Sequence, residues 1–146
     1  MNLGHDVKIT RVSAAAAAGI TAVNSAVVDT QDYDGVMFIA LFGTITATGV
    51  QSLKAQMGAL ANGSDQADIA GSKATVLDTQ SGFAAVVDIV RPTQRYVRGV
   101  VQRATANSVV DGIIAIQYRA DKRPTVQDAA SIAATVILQS PALGTP

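Results

Sequence analysis

Alternation of apolar and polar positions is clearest between Arg91 and Arg123. In its first arm Val97, Gly99 and Val101 fall on one side of an extended chain, and Tyr96, Arg98, Val100 and Gln102 on the other, because successive strand side chains point to opposite faces. In the second arm Ile114, Ile116 and Tyr118 alternate with Ile113, Ala115, Gln117 and Arg119, the period of a half-buried antiparallel strand. Thr105 to Ser108 and then Asp111-Gly112 are turn formers, so the pattern predicts a β-hairpin with a basic face. Pro92, which cannot donate to a central ladder, marks the entry to the first arm.

Other segments predict further strands. Val7 to Val12 sets Val7, Ile9 and Arg11 against Lys8, Thr10 and Val12, which suits a strand near an edge or a mobile arm. Ile20 to Val28 reads as a strand closed by the turn residues Asp29 to Gly35. Val36 to Phe42 is apolar at every position, as expected of a strand covered on both faces, inside a sandwich or against a partner. Val50 to Met57, Lys73 to Leu77 and Phe83 to Val90 complete the set, and Ala61 to Gly71 is a loop around Asn62-Gly63. About eight strands at this spacing are typical of sandwiches and jelly rolls. The sequence Val27-Val28-Asp29-Thr30-Gln31 is echoed by Val76-Leu77-Asp78-Thr79-Gln80, the same turn chemistry before an apolar strand. Ala129 to Leu138 allows a helix in its Ala-rich half and favours a strand over Thr135 to Leu138, and it must be buried on its own domain or on another subunit.

Composition narrows the picture. Val, Ile and Thr exceed a quarter of the 146 residues and every acidic residue is Asp, a bias toward strands and turns. The expected fold is all-β, a jelly-roll-like antiparallel β-sandwich. It forms one domain over 1–146, with a core at about 20–123, an N-terminal arm at about 1–19 and a C-terminal arm at about 124–146. Cysteine is absent, which removes disulfides and Cys-ligated metals. No apolar run reaches the roughly 20 residues of a spanning helix, so no membrane partner is expected. The alanines at 14–18 after Lys8 and Arg11 resemble a signal peptide only faintly, and synthesis in the cytoplasm is the expectation.

Catalytic chemistry is poorly provided. The only histidine is His5, beside the terminus, and hydrolytic triads and most metal sites need more. Asp29, Asp32 and Asp34 before Gly35 miss the spacing of a calcium loop and read as solvated turn carboxylates. Asn62-Gly63-Ser64 is better read as a turn than as a glycosylation acceptor, and no Gly-rich phosphate loop is present. No enzyme, cofactor or metal is expected. The informative polar feature is charge placement: net charge is zero, yet residues 91–123 hold seven of the eleven Lys/Arg and two of the eleven Asp. This strip of Arg91, Arg95, Arg98, Arg103, Arg119, Lys122 and Arg123 suits a solvated face with local Asp partners, a contact surface for an acidic protein, or nucleic acid with Tyr96 and Tyr118 stacking on bases. Zero net charge and six aromatic residues, none of them Trp, weigh against specific nucleic-acid binding and against a sugar platform.

The order of the VLDTQ turn, the run Arg91-Pro92-Thr93-Gln94-Arg95-Tyr96-Val97-Arg98, the strand Ile113 to Arg119, Lys122-Arg123-Pro124 and a small-residue tail near Ser140-Pro141 and Gly144-Thr145 resembles capsid accessory proteins of tailed phages. These are the cement or decoration proteins of short-tailed phages, which tend to be small jelly rolls. The resemblance implies a virion protein on the outside of an icosahedral head, a homodimer or trimer that clamps neighbouring subunits of the major capsid protein after expansion. On that reading the basic strip and the apolar tail, including Val136, Ile137 and Leu138, supply the contacts, and Val36 to Phe42 is core. Two alternatives stand beside it, a carbohydrate-binding jelly roll for host-surface attachment and a single-stranded nucleic-acid binder.

Overall fold

A computed structural model describes residues 2–138. The tail motif at Ser140-Pro141 and Gly144-Thr145 lies outside the described residues. After a single-turn helix α1 (Leu3–Asp6), the chain forms β1 (Val7–Ser13), β2 (Ala16–Gly19), β3 (Val23–Asn24), β4 (Val28–Asp29), β5 (Tyr33–Ile45), β6 (Val50–Gly58), β7 (Ala67–Asp68), β8 (Ala74–Leu77), β9 (Ala84–Val90), β10 (Tyr96–Ala104) and β11 (Ser108–Ala120).

These strands build two antiparallel sheets. The first runs β1-β11-β5-β9, with β2 continuing β1 along β11, and the second runs β3-β10-β6-β7, with β4 and β8 continuing its outer strands. Counting each interrupted strand once, the chain passes eight positions in the order 1-8-3-6 in one sheet and 2-7-4-5 in the other, which is the jelly-roll arrangement of two Greek keys. The all-β sandwich expected from strand spacing is therefore the fold.

Alternation explains the core. Val36, Phe38, Ala40 and Phe42 of β5, with Ile113 and Ala115 of β11, meet Leu53, Ala55, Val97 and Val101 of the second sheet, all buried. Phe38 lies over Gly99, at which an added Cβ would stand 3.1 Å from the ring. Buried glutamines bond to backbone, one across the sandwich and one within the second sheet. The amide of Gln117 donates to the carbonyl of Asp29 at 2.7 Å, and Gln51 accepts from the N–H of Ala104 at 3.1 Å. Ser25 ties the gap between β3 and β4 to β10, donating its N–H to the Gly99 carbonyl at 2.9 Å while its hydroxyl accepts from Gly99 N–H at 3.0 Å.

Several sequence expectations change. β10 and β11 are consecutive and joined by a short turn, yet they lie in different sheets, so Arg91 to Arg123 is not a hairpin. Thr105 at φ +72° turns the chain across the end of the sandwich rather than back on itself. Asp111-Gly112 is no turn but a bulge inside β11, where the register against β5 shifts and Gly112 adopts φ +148°. Residues 7–19 are sheet rather than arm, because β1 and β2 pair with β11. Ile20 to Val28 is broken into the two short strands β3 and β4. Both copies of the echoed turn carry the chain from the second sheet to the first, β4 to β5 and β8 to β9, with Asp29 accepting from the N–H of Gln31 and Asp78 from that of Thr79.

The segment after Pro124 is neither helix nor strand over 129–138. It runs beside the free edge of β1 and is fixed there by side chains. The Thr125 hydroxyl donates to the Val7 carbonyl at 2.7 Å, Gln127 accepts from Ile9 N–H at 2.8 Å, and Ser131 accepts from Arg11 N–H at 3.0 Å. An edge that would otherwise expose its donors and acceptors is thereby closed.

Candidate interaction surface

The basic strip does not form one surface. Arg95 is held by Asp29 through two bonds of 2.8 and 2.7 Å and lies over the ring of Tyr96, 5.1 Å from its centroid. Its guanidinium holds the Asp29 carboxyl below the usual carboxylate range. Arg98 points out of the second sheet and donates to Gln56 at 2.7 Å. Arg103 is only 9% exposed, so it is no contact residue; it reaches across the end of the sandwich to the carbonyls of Thr21, Ala17 and Ser108 at 2.6, 2.7 and 2.8 Å. Arg119 lies 3.8 Å from Asp34, and Arg123 lies 3.3 Å from Asp6. Arg91, at φ +50°, and Lys122 are exposed in the links that follow β9 and β11. Among the described residues no cluster of His, Cys, Asp or Glu is placed to hold a metal.

The two sheets instead differ in what they show to solvent. Outside the second sheet a polar row runs from Arg98 to Gln56 to Asp68 to Lys54, with Gln56 and Lys54 donating to Asp68 at 2.6 and 2.7 Å. The bond from Lys54, then that from Gln56, keeps the Asp68 carboxyl below its ordinary range.

Outside the first sheet the register builds an apolar face. Ile9 of β1, Ile116 of β11 and Met37 of β5 are neighbours in one row, which ends at Asp88 of β9, and Ile114, Ile39 and Val86 in the next, which starts at Arg11 of β1. Leu41, Val86 and Val90 are 38, 51 and 58% exposed. This corrects the placement of Val36 to Phe42 wholly in the core: its even positions are core and its odd positions lie on this outer face. The signal is in the sequence, since β5 and β11 are apolar at both parities, but periodicity does not say whether a second apolar face meets the same chain or another one.

The face has two polar fittings. Tyr118 lies across Gly35 of β5, where only a missing side chain leaves room for its ring, and its hydroxyl donates to Asp88 of β9 at 2.7 Å. Burial first, and then this bond, push the Tyr118 phenol up to about 12. Beside it lies a hollow of about 480 Å³ lined by Leu3, Val7, Met37, Val90, Ile116 and Tyr118, with Asp88 and Arg119 at its rim. The C-terminal segment covers the β1 side only. Ile132 shares a second hollow with Ile9, Leu41 and Ile114, and Ile137 packs on Gly4 of α1. Val136 and Leu138 stay exposed at 77 and 72%.

No family model matches the chain, and no curated protein is similar to it. Among solved structures, one of the Bacillus endospore appendages, described as a family of disulfide-linked pili, is similar at 14% identity with a TM-score of 0.44, over 77% of this chain and 88% of that one.

Proposed function

We propose that this protein is a structural subunit of a phage virion, which docks on the outside of an icosahedral head and cements neighbouring copies of the major capsid protein. The observation that carries this reading is the outer face of the first sheet, apolar across β5 and β11 and onto β9 with Arg11 and Asp88 at its margins, opposite a second sheet whose outer face carries a polar row. A monomer in water gains nothing from so continuous an apolar face, which marks a surface made to be covered. The resemblance of the Arg91 to Pro124 region to phage decoration proteins supplies the kind of partner.

The contact set differs from the one expected from sequence. Met37, Ile39, Leu41 and Val86 form its centre, Val136 and Leu138 extend it, and the arginines secure the fold or its rim. Each copy needs only modest affinity, because a subunit bridging two capsid proteins gains from effective concentration and the symmetry of the shell. A protein that binds only the expanded lattice stabilises that lattice by mass action.

Co-sedimentation with expanded capsids lacking the protein tests this, with the rupture temperature of the shells followed in parallel. Saturable binding with a raised rupture temperature is the expected result. Failure to bind expanded shells sinks the proposal.

A further inference from the structure

The two sheets have four edges, and three are blunted. β1 is closed by residues 125–131. The edges of the second sheet are broken into the pairs β3/β4 and β7/β8, each piece only two to four residues long. The fourth edge is β9, seven residues that pair with β5 in unbroken register and, among the described residues, have no strand on their other side. Among the described residues, no hydrogen bond reaches that side from the 69–74 connection, which stands off across a groove of about 380 Å³.

β9 also lacks the devices that keep an edge solitary. It contains no Lys, no Pro and no bulge, and its one charge, Asp88, is turned onto Tyr118. A long, apolar edge of this kind is a template for another strand.

We propose that the edge is filled by β9 of a second copy, antiparallel about a two-fold axis at Val87. A two-fold axis makes this contact self-complementary, and the sequence Ala84-Ala85-Val86-Val87-Asp88-Ile89-Val90 suits that register. Val87 opposes itself, Val86 opposes Asp88, and Ala84 opposes Val90, so the only charge never meets its own copy. The next position outward sets Arg91 beside Phe83 of the second copy, a cation beside an exposed ring. Pairing joins the two first sheets into one, and their apolar outer faces become a single surface of twice the width. This supplies the dimer for the docking role proposed above but is tested on the free protein, so a failure to bind shells leaves it standing.

The chain has no cysteine, which makes single-cysteine variants clean reporters. Val86→Cys and Asp88→Cys change exposed side chains only. In the proposed register these two positions face each other at a Cα separation of about 4.5–5.5 Å, within the roughly 4.4–6.8 Å of a disulfide. Like positions lie on a diagonal of about 7–8 Å. Mild oxidation of a mixture of the two variants should therefore give a mixed disulfide dimer at least about tenfold faster than either variant alone. Sedimentation equilibrium of the unaltered chain should give twice its 14.9 kDa, and Val86→Lys should return it to a monomer. Cross-linking as fast within one variant as between the two, or a 14.9 kDa species at every concentration, overturns the proposal.

Discussion

The guanidinium of Arg103, on β10 of the second sheet, donates to the carbonyl of Ser108, on β11 of the first, at 2.8 Å. With its bonds to Thr21 and Ala17 it closes the end of the sandwich where the chain crosses between sheets. All these partners are uncharged, so removing the arginine strands three carbonyls. Arg103→Ala is expected to cost about 3 kcal/mol in urea unfolding, against about 0–1 kcal/mol for Arg95→Ala, whose partner stays in water. Equal costs would show that Arg103 is not the clamp.

Gly99 sets the spacing of the sheets under Phe38. A methyl group there has 3.1 Å to the ring, closer than carbon atoms pack. Gly99→Ala should destabilise by about 1–3 kcal/mol, and Phe38→Leu in the same chain should recover part of the loss. Additive losses in the double variant would contradict the contact.

Met37 lies in the middle of the apolar face and takes no part in the core. If the face docks on the shell as proposed, Met37→Lys should abolish that binding while shifting unfolding by less than about 1 kcal/mol. A variant that still saturates the shell would move the contact elsewhere on the molecule.

The Tyr118 phenol has an ordinary value of 10.0 and is raised to about 12 in the fold. Between those values the unfolded chain has lost a proton that the folded chain keeps, so stability falls as pH rises across that window. Thermal melts from pH 9 upward should show the fall, and Tyr118→Phe should flatten it. Ultraviolet titration should find the last phenolate to form missing from that variant.

Residues 125–131 hold β1 by side-chain bonds from Thr125, Gln127 and Ser131. Thr125→Ala with Gln127→Ala should speed amide exchange at Ile9 and Arg11 well before global unfolding, because an edge strand opens locally. Unchanged protection of those amides would mean that the segment is not what closes the edge.

Much of the sandwich is legible in the sequence. β6, β8, β9 and the bodies of β5, β10 and β11 fall where alternation and turn residues place them, because the backbone alone dictates that neighbouring side chains point opposite ways. The candidate surface is half legible. Val36 to Phe42 declares two apolar faces, and only the register of β5 between β11 and β9 shows which one looks outward. The basic strip misleads because closeness in sequence is not closeness in space: Arg98 and Arg103 differ by five positions, yet one is outside the second sheet and the other plugs the end of the sandwich.

By itself the sequence determined an all-β chain without disulfides, the bodies of its longer strands and the alternation of apolar residues on their faces, since these follow from local sterics and a period of two. Which strand bonds to which was decided by the tertiary structure alone. Tyr96 to Ala104 and Ser108 to Ala120 carry every sign of a hairpin and still part into opposite sheets. A strand's side chains record what covers its faces, while its edges are bare backbone, alike in every residue, and only packing chooses their neighbour.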